Sequence, residues 1–139
     1  MICFFDTNVL VYAVDPNSGR KQKTALALYE QALREQSFAI STQVLAEFYS
    51  VTTRGAQPLL AREQAQIQTT ALSRQRVVPT TAALIVGAMA HAGKDSVSWW
   101  DALLLEAALS IKANTLFSED FQHGRRFGEL SIVNPFLAG

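Results

Sequence analysis

The chain of 139 residues is 49% apolar and 17% charged, with 12 basic and 12 acidic side chains and a formal net charge of zero. This composition is typical of a compact globular domain and excludes a disordered chain. The zero net charge argues against a strongly basic nucleic-acid binder. It does not exclude a polyanionic substrate, because acids gathered in one site would leave the rest of the chain positive.

No segment of the sequence is typical of a membrane span or a signal peptide. Residues 80–93 form the longest stretch of low polarity, but this stretch is too short and too rich in small residues to cross a bilayer. No basic segment precedes an apolar one at the N-terminus. Cys3 is the single cysteine, so no internal disulfide can form, which fits a reducing cytosol. We expect one cytoplasmic domain over residues 1–139.

Short apolar runs alternate with longer helical patterns along the chain. Residues 2–5 are rich in strand-forming side chains and predict the first strand. Further strands are predicted at residues 38–41, 76–78, 115–118 and 131–134. Helices are predicted at residues 8–14, 20–36, 42–54, 61–74, 80–92 and 98–112, with a turn at residues 15–19. Gly55 and Gly93 are expected to end the third and fifth helices.

The alternation of strands and helices predicts an α/β fold. A parallel sheet of four to five strands would be covered by helices on both faces. Ligands of such sheets bind beyond the carboxyl ends of the strands. Asp6 follows the first strand and Asp120 follows the strand at residues 115–118, so both are candidates for one shared site.

Two further acids interrupt apolar helix faces. Glu47 has helical spacing with Val44 and Phe48, and Asp101 has the same spacing with Leu104. The pattern predicts that both acids face inward. An unpaired buried carboxylate is costly, so each needs a partner, and one metal cation would compensate both charges.

Most of these acids also have a structural explanation, which the sequence leaves open. Ser98 and Asp101 fit a helix capping box, and Asp6 is a good N-cap residue. Asp120 is compatible with an ordinary loop acid. Glu47 lies too far inside its helix for capping. The four acids together are therefore harder to explain separately than as one site.

The chemistry of an all-carboxylate site favours a hard cation. Oxygen ligands select Mg²⁺ or Mn²⁺ over zinc, and His91 and His123 have no zinc-like spacing with Cys3. One or two such ions can activate a water and stabilise a phosphoryl transition state. The sequence contains no nucleophile elbow, P-loop or dinucleotide-binding glycine pattern.

Four segments resemble the ordered signature blocks of PIN-domain ribonucleases, and are most similar to VapC-like toxins of type II toxin–antitoxin pairs. They are FFDTNVLVY, VLAEFY, SWWDALLLEAA and TLFSEDFQHG, and they extend over nearly the whole chain. The resemblance implies that four acids bind the metal and carry catalysis, namely Asp6, Glu47, Asp101 and Asp120. It also implies that Asn8 and Ser118 orient these carboxylates, and it leaves Glu119 as a contact to a second metal or a solvent-facing acid.

The same resemblance implies a single PIN domain with a three-layer α/β/α sandwich. It implies endonucleolytic cleavage of RNA that depends on Mg²⁺ or Mn²⁺. It further implies a homodimer and a cognate antitoxin, whose C-terminal segment covers the active-site groove.

Several other side chains have two interpretations in the sequence. Arg125, Arg126 and His123 either hold RNA phosphates or belong to a solvated loop. Trp99 and Trp100 have the ring faces to stack on bases, but they open a nearly all-apolar helix, so at least one of them is expected to pack in the core or a dimer interface. Apolar residues on the helices at 20–36 and 42–54 suit either an antitoxin groove or core packing. The basic residues that open the first of these helices (Arg20, Lys21, Lys23) fit either RNA contact or a solvated face, and the solvated face is the expected one. Glu106 is interpreted as structural.

Two other functions remain open alternatives. A phosphoaspartate hydrolase or receiver domain also places an aspartate after the first strand, although Asn8 replaces the second aspartate that such phosphatases need. The other alternative is a non-catalytic binding module on the same fold, which would have no need of a metal site.

Overall fold

The computed structural model describes residues 1–94 and 96–137. Its strands are β1 (Cys3–Phe5), β2 (Phe38–Ser41), β3 (Arg76–Val78), β4 (Thr115–Phe117), β5 (Arg126–Phe127) and β6 (Leu130–Val133). Its helices are α1 (Thr7–Ala13), α2 (Arg20–Arg34), α3 (Thr42–Thr53), α4 (Arg62–Ser73), α5 (Ala82–Lys94) and α6 (Trp99–Ser110). A single 3-10 turn, Pro16–Ser18, separates α1 from α2.

The strands form one sheet with the order β3-β2-β1-β4-β6-β5. Strands β3, β2, β1, β4 and β6 are parallel, and β5 pairs antiparallel with β6 at the edge. The predicted α/β fold with a parallel sheet is therefore confirmed. The sequence does not predict β5, because a two-residue strand is too short to show an alternating pattern.

The helices divide between the two faces of the sheet. The chain runs from β1 through β2 to β3 in one direction, and then returns to place β4 on the other side of β1. Since parallel crossovers are right-handed, α1 to α4 cover one face, and α5 and α6 cover the other. The contacts of α1 with α2 and α3, of α3 with α4, and of α5 with α6 agree with this arrangement.

The central strand β1 is buried on both sides. Phe4 and Phe5 are both 0% exposed, and successive side chains on a strand point to opposite faces. The centre of the Phe5 ring lies 5.0 Å from the centre of the Phe38 ring on β2 and 5.2 Å from that of the Phe117 ring on β4. The apolar run at the start of the sequence is thus the middle of the core.

Helix ends agree with the predicted ranges to within two residues. Gly55 follows the end of α3 with a φ of +88°, a conformation that glycine adopts without strain. Gly93 lies inside α5, which continues to Lys94, so the prediction that Gly93 ends this helix is wrong. A glycine weakens a helix but does not end it where the apolar face continues beyond that position. Here Ala92, next to Gly93, still packs against the core.

The helices are short in comparison with a bilayer. The longest, α2, has 15 residues. Within residues 1–94 and 96–137, no helix is long and apolar enough to cross a membrane.

We expect replacement of Phe5 by alanine to lower the free energy of unfolding by about 3–5 kcal/mol, because it leaves a cavity between three strands. Denaturant unfolding of Phe5→Ala measures this loss. Ile67→Ala is the control, since Ile67 on α4 is 61% exposed and truncation of its side chain should change the stability by about 0.5 kcal/mol or less. Equal stability of the two variants would contradict the central placement of β1.

Candidate functional site

A cleft of about 180 Å³ opens beyond the carboxyl ends of the strands, and all four predicted acids line it: Asp6, Glu47, Asp101 and Asp120. Strands β1 and β4 lie side by side where the order of connection reverses. In parallel sheets, ligands bind at such a reversal. Four segments distant in sequence thus contribute one acid each to the place where this fold binds ligands.

Asp6 is held by the junction of β1, α1 and β4. It is the N-cap of α1, and its Oδ1 accepts a hydrogen bond of 2.7 Å from the Thr7 backbone N–H. Its Oδ2 accepts one of 2.7 Å from the Ser118 hydroxyl, and its own backbone N–H donates to the Phe117 carbonyl at 3.0 Å. Both carboxylate oxygens therefore have fixed donors, and the capping and site interpretations of Asp6 are compatible.

The environment of Asp6 favours its protonated form. Burial raises the pKa of Asp6 to about 7, and the neighbouring carboxylate of Asp120 raises it too. The hydrogen bonds from Ser118 and Thr7 act in the opposite direction. The site therefore concentrates negative charge that a proton or a cation would neutralise.

Ser118 links two of the acids. It is 0% exposed and directly follows β4. Its hydroxyl donates to Asp6 and accepts a hydrogen bond of 3.0 Å from the Asp120 backbone N–H. The parallel register pairs Phe5 with Phe117, so the residues that follow them, Asp6 and Ser118, lie at the same level of the sheet.

Glu47 is exposed, and the prediction that it faces inward is wrong. Its neighbours on the stripe, Val44 and Phe48, are buried, but Glu47 lies at the margin of that stripe, where α3 borders the cleft. Its Oε1 accepts a hydrogen bond of 3.0 Å from the Thr7 hydroxyl. A helical stripe is wide enough that one edge can reach solvent while the middle is buried.

Asp101 serves the start of α6 and the cleft at the same time. The backbone N–H of Asp101 donates to the Ser98 hydroxyl at 3.1 Å, which makes Ser98 the N-cap of α6. The carboxylate of Asp101 is half-buried and lines the cleft. Burial raises its pKa, as does the charge of Asp120, while a hydrogen bond with Ser98 opposes the shift.

The supporting residues have different positions. Asn8 lines the cleft, but Glu119 does not. The carboxylate of Glu119 accepts hydrogen bonds of 2.6 Å from both the Tyr12 hydroxyl and the Lys21 ammonium group. Burial alone would raise the pKa of Glu119, but these two donors outweigh it and hold that pKa below its ordinary value. Glu119 therefore fixes the loop before Asp120 to α1 and α2.

The basic residues near the end of the chain lie outside the cleft lining that the structure describes. The Arg125 guanidinium lies 4.5 Å from the centre of the Phe127 ring, and Arg126 donates to the Ser131 hydroxyl at 2.9 Å. The Nδ1 of His123 accepts a hydrogen bond from a backbone N–H at 3.0 Å. These side chains brace the hairpin of β5 and β6.

Glu106 also lies outside the cleft lining, as its structural interpretation predicts. Its Oε1 lies 2.7 Å from the Nε2 of His91, so the pair joins α6 to α5.

Besides the apolar Val51 and Leu104, three side chains line the cleft that the sequence did not assign to the site, namely Thr7, Gln43 and Trp100. Thr7 holds Glu47, as described above, and Gln43 lines the cleft beside it. Trp100 lines the cleft and is exposed, whereas Trp99 packs against the core, as predicted for at least one of the pair. Thr7 and Gln43 carry no helical or strand signal that separates them from ordinary surface residues.

The donor set of the cleft fits a hard divalent cation, because its described lining offers the oxygens of four carboxylates and includes no histidine or cysteine. Among residues 1–94 and 96–137, no three His, Cys, Asp or Glu side chains are placed to hold one ion together.

Comparisons with known proteins agree with the fold. VapC20 of Mycobacterium tuberculosis, described as a sarcin-ricin loop cleaving toxin, is 18% identical, with a TM-score of 0.66 over 85% of this chain and 89% of that one. VapBC2 of Rickettsia felis, bound to a fragment of its promoter DNA, is 22% identical, with a TM-score of 0.67 over 95% of this chain and 97% of that one. A toxin–antitoxin complex from Klebsiella pneumoniae is 24% identical, with a TM-score of 0.65 over 96% of this chain and 98% of that one.

Sequence comparison identifies the family. A search of curated protein sequences found no match. The profile of the PIN domain matches residues 3–127, a range that includes all four acids of the cleft and every strand except β6. The chain therefore belongs to the PIN domain family.

Proposed function

We propose that this protein is an endoribonuclease dependent on Mg²⁺ or Mn²⁺, and that it is the toxin of a type II toxin–antitoxin pair. The observation that carries the proposal is the convergence of Asp6, Glu47, Asp101 and Asp120 on one cleft at the reversal point of a parallel sheet. Membership of the PIN family supports it, as does the likeness in fold to an RNA-cleaving toxin.

In this proposal Asp6, Glu47, Asp101 and Asp120 would hold one or two divalent ions, and such ions would supply Lewis-acid activation of a water and neutralisation of phosphate charge. The part played by the protein is to hold the carboxylates in place. The Ser118 hydroxyl and the Thr7 N–H fix Asp6, and the Thr7 hydroxyl fixes Glu47. Such outer donors set the orientation of metal-binding carboxylates.

The surroundings of Asp6 argue against a phosphoaspartate mechanism. Asp6 is 6% exposed, and each of its carboxylate oxygens already accepts a hydrogen bond at 2.7 Å. An attacking carboxylate oxygen needs access to a phosphorus atom. A metal-bound role is compatible with these hydrogen bonds, because a carboxylate oxygen has two lone pairs and can accept a hydrogen bond with one while it binds an ion with the other.

An apolar groove on the helical face supports an antitoxin as partner. The groove, of about 230 Å³, lies among α1 to α4 and is lined by Leu10, Val14, Leu26, Tyr29 and Leu72, among others. An amphipathic segment fits such a groove. Complexes of toxin with antitoxin are among the proteins of similar fold.

The proposal includes a homodimer. Helix α5 exposes Ile85, Val86 and Met89, of which Val86 is 64% and Met89 57% exposed. An apolar cluster of this kind on a surface helix is typical of a contact with another protein.

We expect Asp101→Asn and Glu47→Gln to reduce RNA cleavage on the order of 100-fold or more, since a metal ligand contributes at least as much as an outer donor. The measurement is cleavage of a labelled RNA in Mg²⁺ or Mn²⁺, together with arrest of growth when the protein is expressed. Glu63→Gln, an exposed acid on α4, is the matched control and should retain full activity. Unchanged cleavage by Asp101→Asn would refute the proposal.

Replacement of Ser118 by alanine should lower activity about 10- to 100-fold, with a rise in the metal concentration needed for half-maximal rate. The physical reason is loss of the hydroxyl that donates to Asp6 and accepts from the Asp120 N–H. Ser131→Ala removes a serine from the neighbouring strand β6 and serves as the control. If Ser118→Ala kept the wild-type metal dependence, the assigned positioning role would be wrong.

The metal-free protein should lose stability as the pH rises from about 4 to about 7. Burial raises the pKa of Asp6 from 3.8 to about 7, so the folded protein keeps a proton that the unfolded chain has released. This stabilisation is complete below the unfolded pKa and is lost as the pH rises through the folded pKa. Thermal unfolding in EDTA should show a fall in Tm on the order of several degrees, relative to the non-titrating variant Asp6→Asn.

Mg²⁺ provides the second arm of the same measurement. Above about pH 7 the ion should raise the Tm of the wild type and have a much smaller effect on Asp6→Asn, because it replaces the lost proton at the ionised carboxylate. Parallel pH profiles for the two proteins in EDTA would contradict the raised pKa of Asp6.

A further inference from the structure

Trp100 is a large aromatic side chain at the rim of the acidic cleft. It lies in the first turn of α6, one residue before Asp101, and lines the cleft with the four acids. It is 64% exposed, while the adjacent Trp99 packs against the core. The first turn of α6 thus packs the Trp99 indole against the core and places the Trp100 indole beside the candidate metal site.

The Trp100 indole makes no hydrogen bond or ring contact within the part of the chain that the structure describes. The backbone of Trp100, in contrast, does have a partner, because the Gln43 side-chain amide donates a hydrogen bond of 3.3 Å to the Trp100 backbone carbonyl. This hydrogen bond joins α3 to α6 across the cleft and fixes the backbone that carries the indole. The ring itself remains available to a ligand.

The cleft has few other means of binding a nucleic acid. No lysine, arginine or histidine is among the described residues that line it. Lys21 lies outside the described lining of the cleft and is paired with Glu119, the residue before Asp120. Phosphate groups would therefore be attracted by the bound cation rather than by side chains. Recognition of the rest of a nucleotide must come from neutral contacts, and stacking on an aromatic ring is the strongest of these.

We infer that the Trp100 indole is a stacking platform for an unpaired nucleobase of the RNA substrate, next to the phosphate that is cleaved. The inference rests on the proposed nuclease function and adds a base-binding subsite to it. The Gln43 amide, which also lines the cleft, lies beside the platform as a hydrogen-bonding group for the edge of the base. A base held in this way must be unstacked from its neighbours, so the subsite selects single-stranded RNA.

The tandem tryptophans allow a direct binding test, because each can be made the sole indole of the chain. Trp99→Phe leaves Trp100, and Trp100→Phe leaves Trp99. Each protein is mixed with a single-stranded oligoribonucleotide in Mg²⁺, and its fluorescence is followed in the first seconds, before cleavage. An abasic ribose-phosphate chain of the same length and charge is the ligand control.

Saturable quenching is expected only when the base-bearing RNA meets the protein that retains Trp100. Quenching by the abasic chain would show that the signal comes from the phosphates, and it would overturn the inference. Equal responses of the two proteins would also overturn it, since Trp99 packs against the core and does not line the cleft.

Kinetics give a second readout. Removing a stacking partner from one base is expected to raise the KM for single-stranded RNA about 5- to 150-fold in Trp100→Ala, with kcat changed by less than about twofold. Trp100→Phe should recover most of the affinity, because a phenyl ring still stacks. A loss confined to kcat in Trp100→Ala, with no recovery by phenylalanine, would indicate a structural role for Trp100 and overturn the inference.

These outcomes separate the subsite from the nuclease activity. If the wild type cleaves RNA and Trp100→Ala has the same KM, the nuclease proposal stands and the stacking platform is wrong. If RNA quenches the fluorescence of the wild type but the wild type never cleaves the RNA, the stacking platform stands and the nuclease proposal fails. If Trp100 emission changes with protein concentration alone, a second copy covers the indole, and the inference is overturned.

Discussion

Asp6 receives hydrogen bonds from the Thr7 N–H and the Ser118 hydroxyl, both at 2.7 Å, and the rest of the cleft is built around this carboxylate. Both donors are in place because β1 and β4 are adjacent parallel strands in register, with Phe5 opposite Phe117. The apolar core under these strands is thus a condition for the site. A shift of register between β1 and β4 would separate Ser118 from Asp6 and move Asp120 with it.

Charge is the second constraint on the cleft. The charge of Asp120 raises the pKa of both Asp6 and Asp101, in addition to the effect of burial. The protein therefore maintains a repulsive arrangement that a hard cation would relieve, which is the usual condition of an all-carboxylate metal site. The loop that brings Asp120 to this place is fixed by Glu119, whose carboxylate is held by Tyr12 and Lys21. A carboxylate adjacent to the site thus stabilises its geometry from outside the cleft.

Much of the fold could be predicted from the sequence, because its helices and strands have strong and separate hydrophobic periods. The five parallel strands and six helices follow from these periods, and the order of alternation predicts a parallel sheet. The same patterns could not predict β5, which is too short to carry a period. They also misplaced the end of α5 at Gly93, since the packing of that helix outweighs the local preference of glycine.

The sequence by itself determined which acids stand at strand ends and helix starts, and the ordered motifs around them are sufficient to indicate the PIN family. Only the tertiary structure decided how each acid is held. In the folded chain Glu47 is exposed and accepts a hydrogen bond from Thr7. Glu119 binds Lys21 and does not line the cleft. Trp100 is exposed, whereas Trp99 packs against the core. The reason is that periodicity reports which side of an element faces the core. The partners of a polar side chain at the border of that face depend on elements distant in sequence, and they are defined only when the chain has packed.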